Sequence, residues 1–160
     1  MQAEPQREHL WLQKLVGNWT YEATAMMEPG KPPEKCEGRE TVRSLGGLWV
    51  LAEGTGEMPG GGEATMVLTL GYDPQKKRYT GTWIGSMMTH LWVYDGELDA
   101  AEKRLTLNSE GPDMSAEGRM AKFRDVIEFK SNDHRTLTSY MLGADGTWIE
   151  IMTAHYRRTA

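Results

Sequence analysis

Apolar positions in the first sixteen residues recur at helical spacing. Trp11 and Leu15 share one face, and Leu12 and Val16 lie beside them four residues apart. Pro5 suits a first helical turn and Gly17 a stop, so the spacing predicts a short helix from Pro5 to Val16. After Gly17 the pattern changes to short runs of strand-like composition, such as "NWTYEATAMM", "TMVLTLGY", "RYTGTWIG" and "TWIEIMTAHY". Turn chemistry separates them at Pro29-Gly30 through Pro33, Gly46-Gly47, Pro59 to Gly62, Asp73-Pro74, Ser86-Met87, Asp95-Gly96, Gly111-Pro112-Asp113, Ser131-Asn132-Asp133 and Asp145-Gly146. These connections are too short for crossover helices, so neighbouring strands must pair antiparallel. A meander of about ten strands removes its edges by closing. The expected fold is therefore all-β, an antiparallel up-and-down barrel of about ten strands with a short N-terminal helix. A two-sheet sandwich is the alternative. No repeat or linker divides residues 1–160, which are read as a single domain.

In such a meander alternate connections emerge at the same end. The longer, Gly- and Pro-rich connections 28–35, 57–63, 86–88, 111–119 and 143–146 share one end, which we call the mouth. The tighter connections 46–47, 73–77, 95–103 and 131–133 share the other, where the helix can act as a plug. Composition sharpens this picture. The chain holds 11 methionines but two phenylalanines, and Met26, Met27, Met58, Met66, Met87, Met88, Met114, Met120 and Met141 all fall at or near the mouth. Methionine adapts to varied apolar shapes, so these residues either fill the rim of the core or line a ligand entrance.

Period-2 alternation through 78–94 puts Tyr79, Gly81 and Trp83 on one face. A two-residue turn at Gly85-Ser86 or Ser86-Met87 adds Met88, His90, Trp92 and Tyr94 to that face, which is assigned to the interior. Met66, Leu68, Leu70 and Tyr72 should also face in, as should Leu105, Leu107, Leu137 and Met141. In "KFRDVIEFK" the apolar face of Phe123, Ile127 and Phe129 carries Asp125 inside, and a buried carboxylate needs a partner. The candidate ligand-binding set is therefore Trp83, Met88, His90, Trp92, Tyr94, Met66, Asp125 and Met141. His90 is either a satisfied histidine, a ligand-orienting donor or an acid–base group. The alternation leaves open the directions of Glu53, Glu150 and His155.

Charge and motifs remove other classes. The net charge of −5 and the lack of a long basic cluster argue against nucleic acid. No apolar run approaches the ~18 residues of a membrane span. The charged N-terminus lacks a signal-peptide core, which suggests a cytoplasmic protein. Cys36 is the single cysteine, and the four scattered histidines show no metal spacing, so no metal or cofactor is expected. There is no HExxH, Walker loop, nucleophile elbow or CxxC.

The segments "HLWLQKLVGNWTYEA", "ETVRSLGGLWVLAEG", "LTLGYDPQKKRYTGTWIGSMMTHLWVYDGELD" and "MTAHYRR" resemble, in order, the bacterial family known as domain of unknown function 1579. More distantly the chain is similar to calycins, the lipocalin and fatty-acid-binding-protein barrels. Those begin with a short helix and a Gly-x-Trp, here Gly17-Asn18-Trp19. That likeness implies an arginine packed on Trp19, either Arg157 or Arg158, and carriage of a small hydrophobic molecule. A likeness to nitrobindin-like haem barrels would make His155 an axial ligand. The sequence thus points to binding of a small hydrophobic or amphiphilic molecule inside a lipocalin-like barrel. The alternatives are an enzyme using His90 or Asp125 in the same pocket, a haem barrel, or a filled barrel whose hydrophobic rim forms a homo-oligomer contact.

Overall fold

The computed structural model describes residues 2–26, 30–113 and 117–159. One helix, α1 (Arg7–Gln13), precedes ten strands. These are β1 (Gly17–Ala25), β2 (Glu34–Leu45), β3 (Trp49–Glu57), β4 (Glu63–Asp73), β5 (Arg78–Gly85), β6 (Trp92–Leu98), β7 (Arg104–Pro112), β8 (Met120–Ser131), β9 (His134–Leu142) and β10 (Trp148–Arg158). Each strand pairs antiparallel with its chain neighbours, and β1 pairs with β10 to close the barrel. The up-and-down barrel read from the alternation is thus the observed fold, and the sandwich is not. Helix α1 is shorter than the spacing predicts at both ends, because Gln6 is the N-cap, leaving Pro5 outside, and Lys14 to Val16 continue only as three-residue turns into β1.

Burial follows the period-2 pattern. In β1, Trp19, Tyr21 and Ala25 are buried while Asn18, Thr20, Glu22 and Thr24 are exposed. In β3, Val50, Ala52, Gly54 and Gly56 face in, so Glu53 points out together with Trp49. The tight turn after β2 runs through Gly46 and Gly47 at φ 65° and 74°, a left-handed conformation that side chains disfavour.

Helix α1 seals the tight-turn end. Trp11 packs edge-on against Phe129 with ring centroids 5.5 Å apart, and its indole donates a 2.6 Å hydrogen bond to the Glu102 carbonyl. Leu12 and Leu15 are buried beside it. The Tyr79 hydroxyl donates to the Glu8 carbonyl at 3.1 Å, tying β5 to the helix. Trp19 donates to the Leu15 carbonyl at 2.8 Å, and the Arg158 guanidinium lies 4.2 Å from the Trp19 ring. Arg158 also donates to the carbonyls of Lys14, Val16 and Asn132, so one guanidinium ties the end of β10 to the chain leaving the helix. Of the two arginines that the calycin likeness allows, Arg158 makes the stack.

Candidate functional site

The interior is graded along the barrel axis. Toward the closed end Val50, Leu70, Tyr79, Leu105, Leu107 and Ile127 are fully buried. Toward the mouth, inward-facing Met66, Leu68, Trp83, Trp92, Leu137, Met141 and Met152 keep accessible surface. A side chain that faces inward yet remains accessible borders open space. That accessible surface lies toward the mouth end of the barrel.

Asp125 and Tyr94 stand at the boundary between the two zones. Both face inward, from β8 and β6, and Tyr94 is buried. The Tyr94 hydroxyl donates a 2.6 Å hydrogen bond to Oδ2 of Asp125, and Ser139 on β9 hydrogen-bonds the same carboxylate. Asp125 is half-buried on the inward face of β8. Burial therefore raises its pKa, and the Tyr94 and Ser139 hydrogen bonds pull it back. Burial together with the adjacent carboxylate pushes the Tyr94 phenol well above its ordinary value, so it serves as a donor.

Of the expected residues, the structure brings Met66, Trp83, Trp92, Tyr94, Asp125 and Met141 onto the interior wall. Met88 and His90 stand apart, in the connection between β5 and β6. The expected two-residue turn is instead a longer loop, with Trp83 paired to Trp92. Relative to a turn at Ser86-Met87 the register moves by two residues. That preserves facing, so Trp92 and Tyr94 still point inward. Met88 is 40% exposed, and its sulfur accepts a 3.1 Å hydrogen bond from the Trp92 indole. His90 bonds the Glu110 carbonyl at 2.9 Å and packs edge-on against Trp92, so it is a satisfied histidine that braces the rim. Trp92 also packs edge-on against Phe123, and its ring occupies space that a Cβ at Gly111 would fill. Met26 and Met120 are exposed at this end, while Met27 and Met114 lie outside the described residues.

Alternation could have revealed three further interior polar residues. Glu40 shares a face with Cys36 and Val42; Arg135 and Ser139 share one with Leu137 and Met141. Arg135 and Glu40 form an ion pair deep in the barrel, and the guanidinium lies 4.0 Å from the Tyr156 ring and 4.6 Å from Trp19. A cavity of about 10 Å³ beside them, bordered by Leu68 and Leu70, is the size of one water. Ser109 faces inward on β7, is 8% exposed, and its hydroxyl has no partner among the described residues.

His155 does not fit an interior haem. A bulge at Ile151 reverses the facing of β10, so Met152, Ala154 and Tyr156 face in while Trp148, Glu150 and His155 point outward. The His155 Nδ1 lies 3.0 Å from His134 Nε2 on the outer wall. Among the described residues no group of three or more His, Cys, Asp or Glu is placed to hold a metal ion, and no helix is long and apolar enough to cross a membrane.

The outer wall carries its own concavity of about 420 Å³ across β6 to β10. Thr106, Val126 and Thr138 form its floor, and long side chains flank them. Those flanking charges are already spent: Arg104 pairs with Glu128, Glu97 with Arg78, and Arg124 stacks 4.2 Å from Trp148 while donating to Asn108.

Comparison with known proteins agrees with the fold. Rv2717c from M. tuberculosis is similar to this chain at a TM-score of 0.62 and 11% identity, with 98% of this chain and 100% of that one covered. The structure of EF1p2_mFAP2b bound to DFHBI is similar at 0.52 and 11% identity, covering 94% and 98%. A de novo designed fluorescence-activating β-barrel is similar at 0.50 and 11%, covering 92% and 95%. No curated protein matches the chain. Residues 4–158 match the protein family of unknown function DUF1579, and the chain belongs to that family.

Proposed function

We propose that this protein binds a small apolar or amphiphilic molecule in the mouth half of its barrel. The observation that carries the reading is the gradient of interior burial. Val50, Leu70, Tyr79, Leu105, Leu107 and Ile127 are buried toward the closed end, while inward-facing Met66, Trp83, Trp92, Met141 and Met152 keep accessible surface toward the mouth. Apolar and aromatic walls around few polar groups are the usual composition of a small-molecule site. Asp125, with Tyr94 and Ser139, supplies the polar group at the floor. A barrel of similar fold is bound to DFHBI in its own structure, which is in keeping with such a use of the architecture.

Fluorescence titration with N-phenyl-1-naphthylamine, a neutral apolar probe, tests the reading. Probe emission should rise and shift to the blue, with quenching or energy transfer from Trp83 and Trp92. Met66→Trp, which adds a ring to the wall, should abolish the signal while leaving the circular dichroism of the barrel intact. No probe uptake by the parent protein, or uptake unchanged by Met66→Trp, would overturn it.

A further inference from the structure

Resting on that reading, we propose that the ligand of the mouth half is a cation, a protonated amine carried on an apolar or aromatic body. The argument is one of charge and walls. Among the described residues, the inward-facing positions of the mouth half carry Asp125 and, at the rim, Glu34, and they carry no lysine or arginine. The interior arginine, Arg135, is paired with Glu40, so the two bring no net charge beside Met66 and Leu68, although its buried Nε has no partner among the described residues. Arg158 is committed to carbonyls at the closed end. A carboxylate ligand entering this space would therefore meet a carboxylate with no countercharge. An ammonium would meet its complement.

The walls suit a cation as well. Trp83, Trp92 and Tyr94 face inward in the same half of the barrel, and aromatic faces attract ammonium groups most strongly when water is excluded. Asp125 accepts hydrogen bonds from Tyr94 and Ser139. An ionised carboxylate offers about four acceptor positions, so roughly two remain for ammonium hydrogens. The unpartnered Ser109 hydroxyl, also buried and inward-facing, adds a further acceptor.

Matched pairs of opposite charge test this. Dodecylamine and dodecanoate, and tryptamine and indole-3-acetate, should each be titrated at neutral pH as competitors of N-phenyl-1-naphthylamine. The amine of each pair should displace the probe at a concentration at least tenfold lower than its acid. Asp125→Asn should remove that preference. Asp95→Asn, which removes an outer-wall charge, should leave it unchanged and so controls for attraction to an acidic protein. Equal displacement by amine and acid, tighter binding of the acids, or displacement by neither would overturn the cation assignment while leaving probe binding standing. Failure of the probe itself to bind would instead overturn the reading beneath it.

Discussion

The phenol of Tyr94 donates a 2.6 Å hydrogen bond to the carboxylate of Asp125, joining β6 to β8 across the barrel interior. These strands are not neighbours in the sheet, since β7 lies between them. The bond is thus a cross-brace between walls as well as the floor of the mouth half. Hydrogen bonds to charged groups contribute about 1.5–3 kcal/mol. Tyr94→Phe keeps the ring and removes the brace, so it should destabilise the protein by about that amount. Urea denaturation should show a lower midpoint at an unchanged slope.

Asp125 also gives stability a defined pH dependence. Burial holds its folded-state pKa above the ordinary carboxylate value of 3.8. In that window the native state binds more protons than the unfolded chain. The contribution of Asp125 is therefore full at pH below 3.8 and is lost as pH rises through the folded-state value. Asp125→Asn should flatten this part of the profile, so its stability relative to the parent should improve as pH increases from the acid range. Thermal melts of both proteins at several pH values check this. A parallel pair of profiles would show that Asp125 titrates alike in both states.

Arg135 and Glu40 present the opposite case, a buried pair of compensating charges. Breaking such a pair by removing one partner typically costs about 3–5 kcal/mol, whereas replacing both by apolar groups is often neutral or stabilising. Glu40→Gln should therefore be severely destabilising. The double variant Glu40→Met with Arg135→Met should recover most of the loss. Guanidinium denaturation of the two variants separates a charge left without its partner from a simple loss of packing.

Alternation made most of the interior legible. Phe123, Asp125, Ile127 and Phe129 share the inward face that the period of two assigns them, and so do Met66, Leu68 and Leu70. It failed where the backbone departs from regular pairing. The bulge at Ile151 reverses the face of β10 midway, so no single parity describes both Trp148 and Met152. The length of the β5–β6 connection depends on loop contacts such as His90 with the Glu110 carbonyl, which residue spacing does not encode. Trp92 and Tyr94 survived that error because the register moved by an even number of residues. Met88 and His90 did not, because the added length came from their own segment. Glu40 and Arg135 lie on faces that the alternation turns inward, but residue spacing does not show that each has the other as partner.

Tyr21 reaches across two glycines in adjacent strands. Its ring lies over Gly38 of β2 and its hydroxyl over Gly56 of β3, where an added Cβ would overlap it. This arrangement lets Tyr21 lie flat along the wall, with its ring 5.0 Å from Tyr156. Gly56→Ala should force that ring away and cost about 1–3 kcal/mol, the usual range for overpacking. Tyr21→Phe removes the overlapping oxygen, so the double variant should regain part of the loss. Recovery will be incomplete because the ring carbon Cζ, which Phe retains, lies 2.9 Å and the Glu37 carbonyl 3.0 Å from the added methyl. A double-mutant cycle by urea denaturation should give a coupling of about 0.5–3 kcal/mol. Additive losses would place the strain at the Glu37 carbonyl and the ring carbons that Phe retains, and not at the hydroxyl.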